Sequence, residues 1–498
     1  MTSKNKEIIA VDNRENINDI EVKDMTLSVK ESTLNKLSFI FIAIAINASF
    51  LLIGYSLLDE SFENWVRSFA ILSIIQLIFN IFSLKIVGEE LFSLSTLFII
   101  FTYLFHFGHI FLVGIQADLQ YTNELLINTV NNSLLKKASM FTLSVQSFVT
   151  SGMMVYLIKP VNCKVKPTGN QEISKQVAHY MGIICILVGI IPMVYIDFSK
   201  IIAFFQYGYL ATFNLTVRNI YIIARLTIVG VMLLIIANKE NKKLSTVLVI
   251  ITIIYEIFSM ISGSRGKAVV TIISFIYLYT KVVNKLKFRI IFIYLASAYL
   301  LMLLINTIKE FRLISGDFHS FIEILSSQNF LNPINDMIYE FGGTMLTVCY
   351  SMLYFPQYVP IQWGSNYLFS VFIWLPSNIG NLDYFINKVQ YISYFPGDTE
   401  QFMGGSYVGE LYYSFNYFGI IISFFIGMFV ALISMKIREN ILNQNIIKIV
   451  LNLILFSNIL WWVRDYFGGI FRELIWTSLF LYFLNIFVTF YLKRKINT

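Results

Sequence analysis

The chain has 498 residues, of which 57% are hydrophobic and only 13% are charged, and its mean hydropathy is +0.69. So few charges for so much apolar surface exclude a water-soluble fold and a soluble enzyme with a single membrane anchor. The net charge of +7 points to orientation in a membrane rather than to nucleic-acid binding, because Lys and Arg accumulate in short cytoplasmic loops. We therefore expect an all-α polytopic membrane protein.

About twelve apolar stretches have the length that a membrane-spanning helix needs, which is roughly 20 residues. In chain order they cover 37–58, 68–87, 91–115, 138–158, 177–196, 219–237, 244–261, 268–280, 290–308, 413–434, 445–463 and 474–491. The stretch 268–280 is short and must borrow residues from its flanks. This division predicts a polar tail at 1–36, a nine-helix membrane bundle at 37–308 and three last helices within 413–498.

The distribution of basic residues predicts which side of the membrane each connection occupies. With the amino terminus inside, the cytoplasmic pieces are 1–36, 85–90, 159–176, 239–243, 281–289, 435–444 and 492–498. Counted together with the adjoining Lys448, they hold 24 of the 37 Lys and Arg residues. Both termini are therefore predicted to be cytoplasmic.

One outward interval, 309–412, is far longer than the other connections. It contains five of the eight prolines, 23 aromatic residues, and nine Asp and Glu against three Lys and Arg. Its apolar runs at 344–355 and 367–375 are too short to span, so they predict re-entrant or interfacial helices broken by proline. A helix pair here would raise the count to fourteen. Aromatic rings suit the C–H faces of sugars, and they also suit the membrane interface.

The first candidate site is the segment Gly263-Ser264-Arg265-Gly266-Lys267, between the seventh and eighth helices. Two glycines allow a turn that brings backbone N–H groups close to an anion. Arg265 would add a planar fork for phosphate, and Ser264 and Lys267 would bind the same group. The alternative is a basic hairpin that touches lipid headgroups.

The second candidate is a pair of buried charges, Arg225 in the sixth helix and Glu256 in the seventh. Both lie about equally far from the turn near residue 241, so they are predicted at the same depth. An unpaired charge near the membrane centre is costly. The sequence therefore predicts either a structural ion pair or an Arg225 that lines an outer cavity and is held there by Glu256.

The histidines offer little support for a metal site. His106 and His109 are three residues apart on one helix face, but they lack a carboxylate partner, so no metal is expected. His319, in the long outer region, is a candidate general base for a hydroxyl nucleophile, with a surface histidine as the alternative.

Other outward arginines are Arg218, Arg312, Arg464 and Arg472. Two of them, Arg464 and Arg472, flank the turn Trp461-Trp-Val-Arg-Asp-Tyr-Phe-Gly-Gly-Ile-Phe-Arg-Glu473, which has the composition of an anion-binding hairpin. Its acidic residues could neutralise both arginines.

Two stretches resemble a known family. Gly263-Ser264-Arg265-Gly266 after an apolar helix, and Gly404-Gly405-Ser406-Tyr-Val-Gly409-Glu410-Leu-Tyr-Tyr-Ser-Phe-Asn416-Tyr-Phe-Gly419 before the next one, are similar to the O-antigen and capsule repeat-unit polymerases of the Wzy type. Topology extends the likeness over most of the chain.

The resemblance implies a membrane fold of the GT-C glycosyltransferase type in the bacterial plasma membrane. It implies an inverting transfer of a growing glycan from undecaprenyl diphosphate to the hydroxyl of a lipid-linked repeat unit, with no cofactor. Basic side chains would hold the diphosphate, first Arg265, then Arg225 and Arg312. A carboxylate such as Glu410, or His319, would orient or deprotonate the acceptor. A chain-length regulator and a flippase are implied as partners.

Two other functions fit the same composition. A flippase for lipid-linked oligosaccharides would also have about twelve helices, but it should show evenly short loops and paired halves. An O-antigen ligase would share the fold type and the donor and would differ in its acceptor.

Overall fold

The computed structural model describes residues 34–116, 129–159, 171–207, 218–260, 265–284, 299–300, 303, 307, 318–327, 332–355, 357–375, 383–395 and 404–497. Regular structure in these ranges is helical, without a strand. The long helices are α1 (Leu34–Asp59), α2 (Phe62–Ile86), α3 (Leu94–Gly114), α4 (Asn132–Leu157), α5 (Gln171–Tyr207), α6 (Arg218–Ala237), α7 (Lys242–Ser259) and α8 (Arg265–Leu278).

The chain continues with nine further helices. The short helices are α9 (Phe318–Ser327), α10 (Asn332–Gly342), α11 (Thr344–Tyr354), α12 (Ser365–Ser370) and α13 (Asp383–Val389). They are followed by α14 (Tyr407–Phe415), α15 (Gly419–Leu442), α16 (Ile446–Trp462) and α17 (Gly468–Asn497).

Within the described residues, nine helices are long and apolar enough to cross a membrane, and α14 and α15 together form one of them. The apolar helices α7 and α16, of 18 and 17 residues, come in addition. The prediction of a polytopic membrane protein is therefore confirmed. Eleven of the twelve predicted stretches coincide with a helix, and the stretch 290–308 lies almost entirely outside the described residues.

The described part of 309–412 folds back onto the membrane helices. The run 344–355 forms α11, which packs against α3 and α4, while α10 packs against α3. One side of α11 buries Met345, Val348 and Cys349 completely. The apolar residues of the outer region thus have a packing role against the bundle.

Glycines allow α4 and α15 to cross at close distance. A Cβ atom at Gly152 of α4 would lie 1.9 Å from the carbonyl oxygen of Phe424, and one at Gly427 of α15 would lie 2.0 Å from that of Val149. Small residues facing each other allow backbones to approach in the membrane, where van der Waals packing holds helices together.

A buried hydrogen-bond network joins the first four helices. Gln76 donates to Asn47 at 3.2 Å and to Ser147 at 2.7 Å, and Tyr103 donates to Gln76 at 2.6 Å. Asn80 closes the network by accepting from Asn47 and donating to Tyr103. Each polar group has a partner because an unsatisfied one in hydrocarbon is costly.

One end of the bundle, here called the ion-pair end, is held by contacts between helix ends and the turns next to them. Each partner belongs to a piece that the sequence predicts on the cytoplasmic side. The contacts join Lys281 with Glu90, Arg438 with Glu89, Lys239 with Gln444, and Lys175 with Glu240. Segments predicted on one side of the membrane therefore meet in space.

Candidate active site

At the other end, here the cavity end, a cavity of about 410 Å³ opens between α5, α6, α8, α16 and the start of α17. It lies where α6, α8 and α17 begin and where α16 ends. Six charged side chains line it: Lys200, Arg225, Lys267, Asp465, Arg472 and Glu473. With four basic and two acidic groups, the wall carries a formal charge of +2.

Arg225 is held in the wall by an ion pair. Its Nε donates to Glu473 Oε1 at 3.0 Å, and the two side chains are only 17% and 18% exposed. The sequence predicted Glu256 as the partner, and the structure corrects this. Glu256 interacts with Arg225 only over a longer range, because α17 rather than α7 presents its carboxylate to the guanidinium.

Lys267 stands between two aromatic rings at the first turn of α8. Its Nζ lies 5.4 Å from the centre of the Tyr221 ring and 5.6 Å from that of the Trp461 ring. A cation over an aromatic face is attracted by the ring quadrupole. The positive end of the α8 dipole adds to the potential at this point, which favours an anion.

The turn between α16 and α17 is ordered by Asp465. Its Oδ2 accepts from Trp461 Nε1 at 2.5 Å, and its Oδ1 accepts from the backbone N–H of Tyr466 at 2.9 Å. Burial raises the pKa of Asp465, and the positive charge of Lys267 opposes that rise. Asp465 lines the cavity together with the basic residues Lys267 and Arg472.

The two glycine-containing stretches of the sequence both touch this turn. A Cβ atom at Gly266 would lie 2.5 Å from the Trp461 ring, and one at Gly405 would lie 2.6 Å from the backbone carbon of Asp465. Only glycine allows such close approach at these two points. The turn 461–465 is thus packed between segments that are about 140 residues apart in the chain.

Glu410 is buried behind the cavity and accepts hydrogen bonds from three residues. They come from Trp462 Nε1 at 2.9 Å, the Phe467 backbone N–H at 3.0 Å and Asn366 Nδ2 at 3.2 Å. Trp462 lines the cavity, whereas Glu410 is fully buried and is absent from the lining. The carboxylate joins α12, α14 and the turn that carries Asp465.

Comparison with known protein families identifies the family of this chain. A sequence profile described as O-antigen polysaccharide polymerase Wzy matches residues 37–495. The chain belongs to this family. No curated protein and no solved structure matches it.

Family membership makes the chain an O-antigen repeat-unit polymerase that acts in the membrane on lipid-linked repeat-unit oligosaccharides. The resemblance drawn from Gly263–Gly266 and Gly404–Gly419 is confirmed. It also favours the polymerase over the flippase and the ligase that the sequence left open.

In this Wzy polymerase, three residues that the sequence named as anion-binding meet in one cavity. They are Arg225, Lys267 and Arg472. Arg265 begins α8, two residues before Lys267, and its side chain lies outside the description. Ser264 and Arg312 lie outside the described residues altogether.

Three further residues of the predicted set lie away from the cavity lining. Arg464 follows α16 and packs its stem against Gly404, with its guanidinium 5.9 Å from the centre of the Phe105 ring. Glu410 occupies the buried position described above. His319 lies exposed on α9.

His106 takes part in positioning the second motif. Its Nε2 lies 2.7 Å from Ser406 Oγ, and its Nδ1 lies 2.9 Å from the carbonyl oxygen of Thr102. Ser406 caps α14 by accepting from the N–H groups of Val408 and Gly409. In the described part of the chain, no three His, Cys, Asp or Glu residues cluster as metal ligands.

Sequence reasoning missed Lys200, Asp465 and Glu473 as parts of the site. The acidic residues were noticed only as neutralisers of the neighbouring arginines. The signal that could have identified them is the alternation of basic, acidic and aromatic residues in 461–473 at the predicted outer end of two helices.

Proposed function

We propose that this Wzy polymerase transfers a growing glycan from undecaprenyl diphosphate to a hydroxyl of a lipid-linked repeat unit, with inversion at the anomeric carbon. The observation that carries the proposal is the cavity with four basic side chains at one end of a helical bundle. A diphosphate is the part of such a donor that needs this charge. The transfer takes place on the outer face of the bacterial plasma membrane.

The basic groups act on the leaving diphosphate. The acceptor oxygen forms a bond to the anomeric carbon while the bond from that carbon to the diphosphate oxygen breaks, and the diphosphate leaves with the electron pair. Lys267 and Arg472, with Arg225 beside them, stabilise the charge that develops there. Arg265, the first residue of α8, is assigned to the same diphosphate.

The acceptor hydroxyl needs a group that orients it and takes its proton. Among the carboxylates of the site, Asp465 borders the cavity and is held by Trp461 and Tyr466. We assign it this contact with the acceptor. Glu410 then acts as a positioning residue, because it holds the turn that presents Asp465.

The ion-pair end faces the cytoplasm in this proposal, since it gathers the most basic connections. Both termini lie on that side. The lipid-linked repeat unit reaches the outer face through a flippase, and a chain-length regulator acts with the polymerase.

Reconstitution tests the proposal. Purified protein in lipid vesicles, supplied only with lipid-linked repeat units from a strain without this polymerase, should produce a ladder of polymers. Lys267→Ala should lower the rate by about 10²-fold, the cost of losing one preorganised group at a developing charge. Arg265→Ala should leave normal amounts of inserted protein and let single repeat units accumulate.

Lys239→Ala is the matched control, because this lysine contacts Gln444 at the ion-pair end. It should leave the rate unchanged. A ladder of wild-type yield from Lys267→Ala would remove this lysine from the site. Loss of the ladder on addition of EDTA would contradict a reaction without metal.

A further inference from the structure

A stripe of three tyrosines runs along the outer region. Tyr350 and Tyr354 of α11 and Tyr358 in the turn after it follow at intervals of four residues. Their ring centroids are 5.8 Å and 5.5 Å apart, and the first two rings are nearly parallel, at 13°. Exposure increases along the stripe, since Tyr350 and Tyr354 are partly buried and Tyr358 is 73% exposed.

The stripe begins near the turn between α16 and α17, whose residue Asp465 lines the cavity. Thr347, one turn before Tyr350 on the same face of α11, donates from Oγ1 to the carbonyl oxygen of Gly404 at 2.7 Å. Gly404 packs against Arg464, the neighbour of Asp465. Positions 347, 350 and 354 share one face of α11, and Tyr358 continues the row through its ring contact with Tyr354. The tyrosine stripe therefore leads away from the turn that lines the cavity.

Buried phenylalanines pack against the first two rings of the stripe. Phe395 is almost completely buried, and its ring centroid lies 5.9 Å from that of Tyr350 and 6.0 Å from that of Tyr354. It also stacks on Phe355, which is buried as well. Tyr350 and Tyr354 are thus held in place before a ligand binds, so little entropy is lost when a ligand lies on them.

The chemistry of the stripe suits a polysaccharide better than a phospholipid surface. Each ring offers an apolar face for sugar C–H groups and a phenol hydroxyl for sugar hydroxyls. The surrounding interval 309–412 has nine Asp and Glu against three Lys and Arg, which disfavours anionic headgroups and leaves carboxylates to bind hydroxyls.

We propose that Tyr350, Tyr354 and Tyr358 form a binding track for the growing glycan as it leaves the cavity. The track retains the polymer between successive transfers and so sets how many repeat units are added before release. This inference rests on the proposed function, because it takes the product of that reaction as its ligand.

Chain-length analysis in the reconstituted system tests the track. Tyr354→Ala and Tyr358→Ala should each raise the rate of polymer release about fivefold, the effect of one lost aromatic contact. The ladder should shorten while the rate of the first transfer, which joins two single repeat units, stays unchanged. Tyr354→Phe, which keeps the ring, should give an intermediate length.

Tyr384→Ala is the matched control. Tyr384 is another exposed tyrosine of the outer region, at 58% exposure, and its ring contacts Phe385 and Lys388 rather than the tyrosine stripe. Its loss should leave the ladder unchanged. If the stripe variants give the same ladder as the control, the track is overturned. It is also overturned if these variants insert into vesicles in lower yield but make chains of normal length, because that result would indicate that the tyrosines anchor the protein in the membrane.

A binding measurement separates failure of the track from failure of the proposed function. Purified polysaccharide, cleaved from its lipid, is titrated into wild-type protein and Tyr354→Ala in detergent. About fivefold weaker binding by the variant supports the track even if the wild type makes no ladder, in which case the proposed reaction alone fails. Equal binding by both proteins overturns the track.

Discussion

Arg225 illustrates how a charge is kept inside a membrane protein. It forms a direct ion pair with Glu473 and also borders the cavity. An ion pair removed from water gives little net stability, but the loss of one partner leaves the other as an uncompensated charge. The same arginine can therefore be held by a carboxylate on one side and face an anionic substrate on the other.

This double role gives a prediction at the scale of single residues. Arg225→Met should lower the stability of the folded protein by about 3 kcal/mol, because Glu473 loses its partner. Adding Glu473→Gln should restore more than half of the lost thermal stability in detergent without restoring polymerase activity. If Glu256→Gln restores stability instead, the partner of Arg225 has been assigned incorrectly.

At the scale of helices, the node formed by Glu410 connects parts of the chain that lie far apart. It binds α12 through Asn366 and the turn before α17 through Trp462 and Phe467. A carboxylate suits this place because it only accepts hydrogen bonds, and each of these contacts is a donor. The node therefore fixes the position of the turn that carries Asp465.

A substitution at this node separates positioning from catalysis. Glu410→Gln places an amide NH₂ among N–H donors and should cost about 1–3 kcal/mol of stability. Asn366→Ala and Trp462→Phe, which remove contacts to the same carboxylate, should reduce thermal stability and activity in parallel with it. Lost turnover at unchanged thermal stability in Glu410→Gln alone would mean that Glu410 acts on the substrate.

At the scale of the whole molecule, the two ends of the bundle differ in chemistry. The ion-pair end joins basic residues near helix ends with acidic residues of the connections. The cavity end concentrates basic groups around an opening and places an aromatic surface beside it. This asymmetry suits an enzyme whose substrate approaches from one side of the membrane only.

Labelling with a membrane-impermeant maleimide tests the orientation. Position 357 is exposed beside the tyrosine stripe, so the cysteine of Gln357→Cys should react in intact cells. The cysteine of Lys239→Cys, at the ion-pair end, should react only after the membrane has been permeabilised. Cys163→Ser is the background, since Cys185 and Cys349 are buried; the reversed labelling pattern would place the cavity in the cytoplasm.

Much of this protein is determined by its sequence. About twelve apolar stretches could be recognised because a helix needs roughly 20 residues to cross the hydrocarbon layer. Eleven of them coincide with helices in the described part of the chain. The family could be identified from Gly263–Gly266 and Gly404–Gly419. Glycine is required where the backbone must approach another segment closely, so such short segments are distinctive. Arg225 could be named because a charge inside a membrane helix is costly, and Lys267 and Arg472 because basic residues are expected to be rare on the outer side.

The partners of these residues were decided by the tertiary structure. Depth along two neighbouring helices suggested Glu256 for Arg225, but a depth estimate does not say which third helix packs alongside, and α17 supplies Glu473. Asp465 reaches the cavity because Gly266 and Gly405 pack on either side of its turn. Such contacts join residues 60 to 248 positions apart, and local patterns of hydrophobicity and charge carry no information about which distant segments will touch.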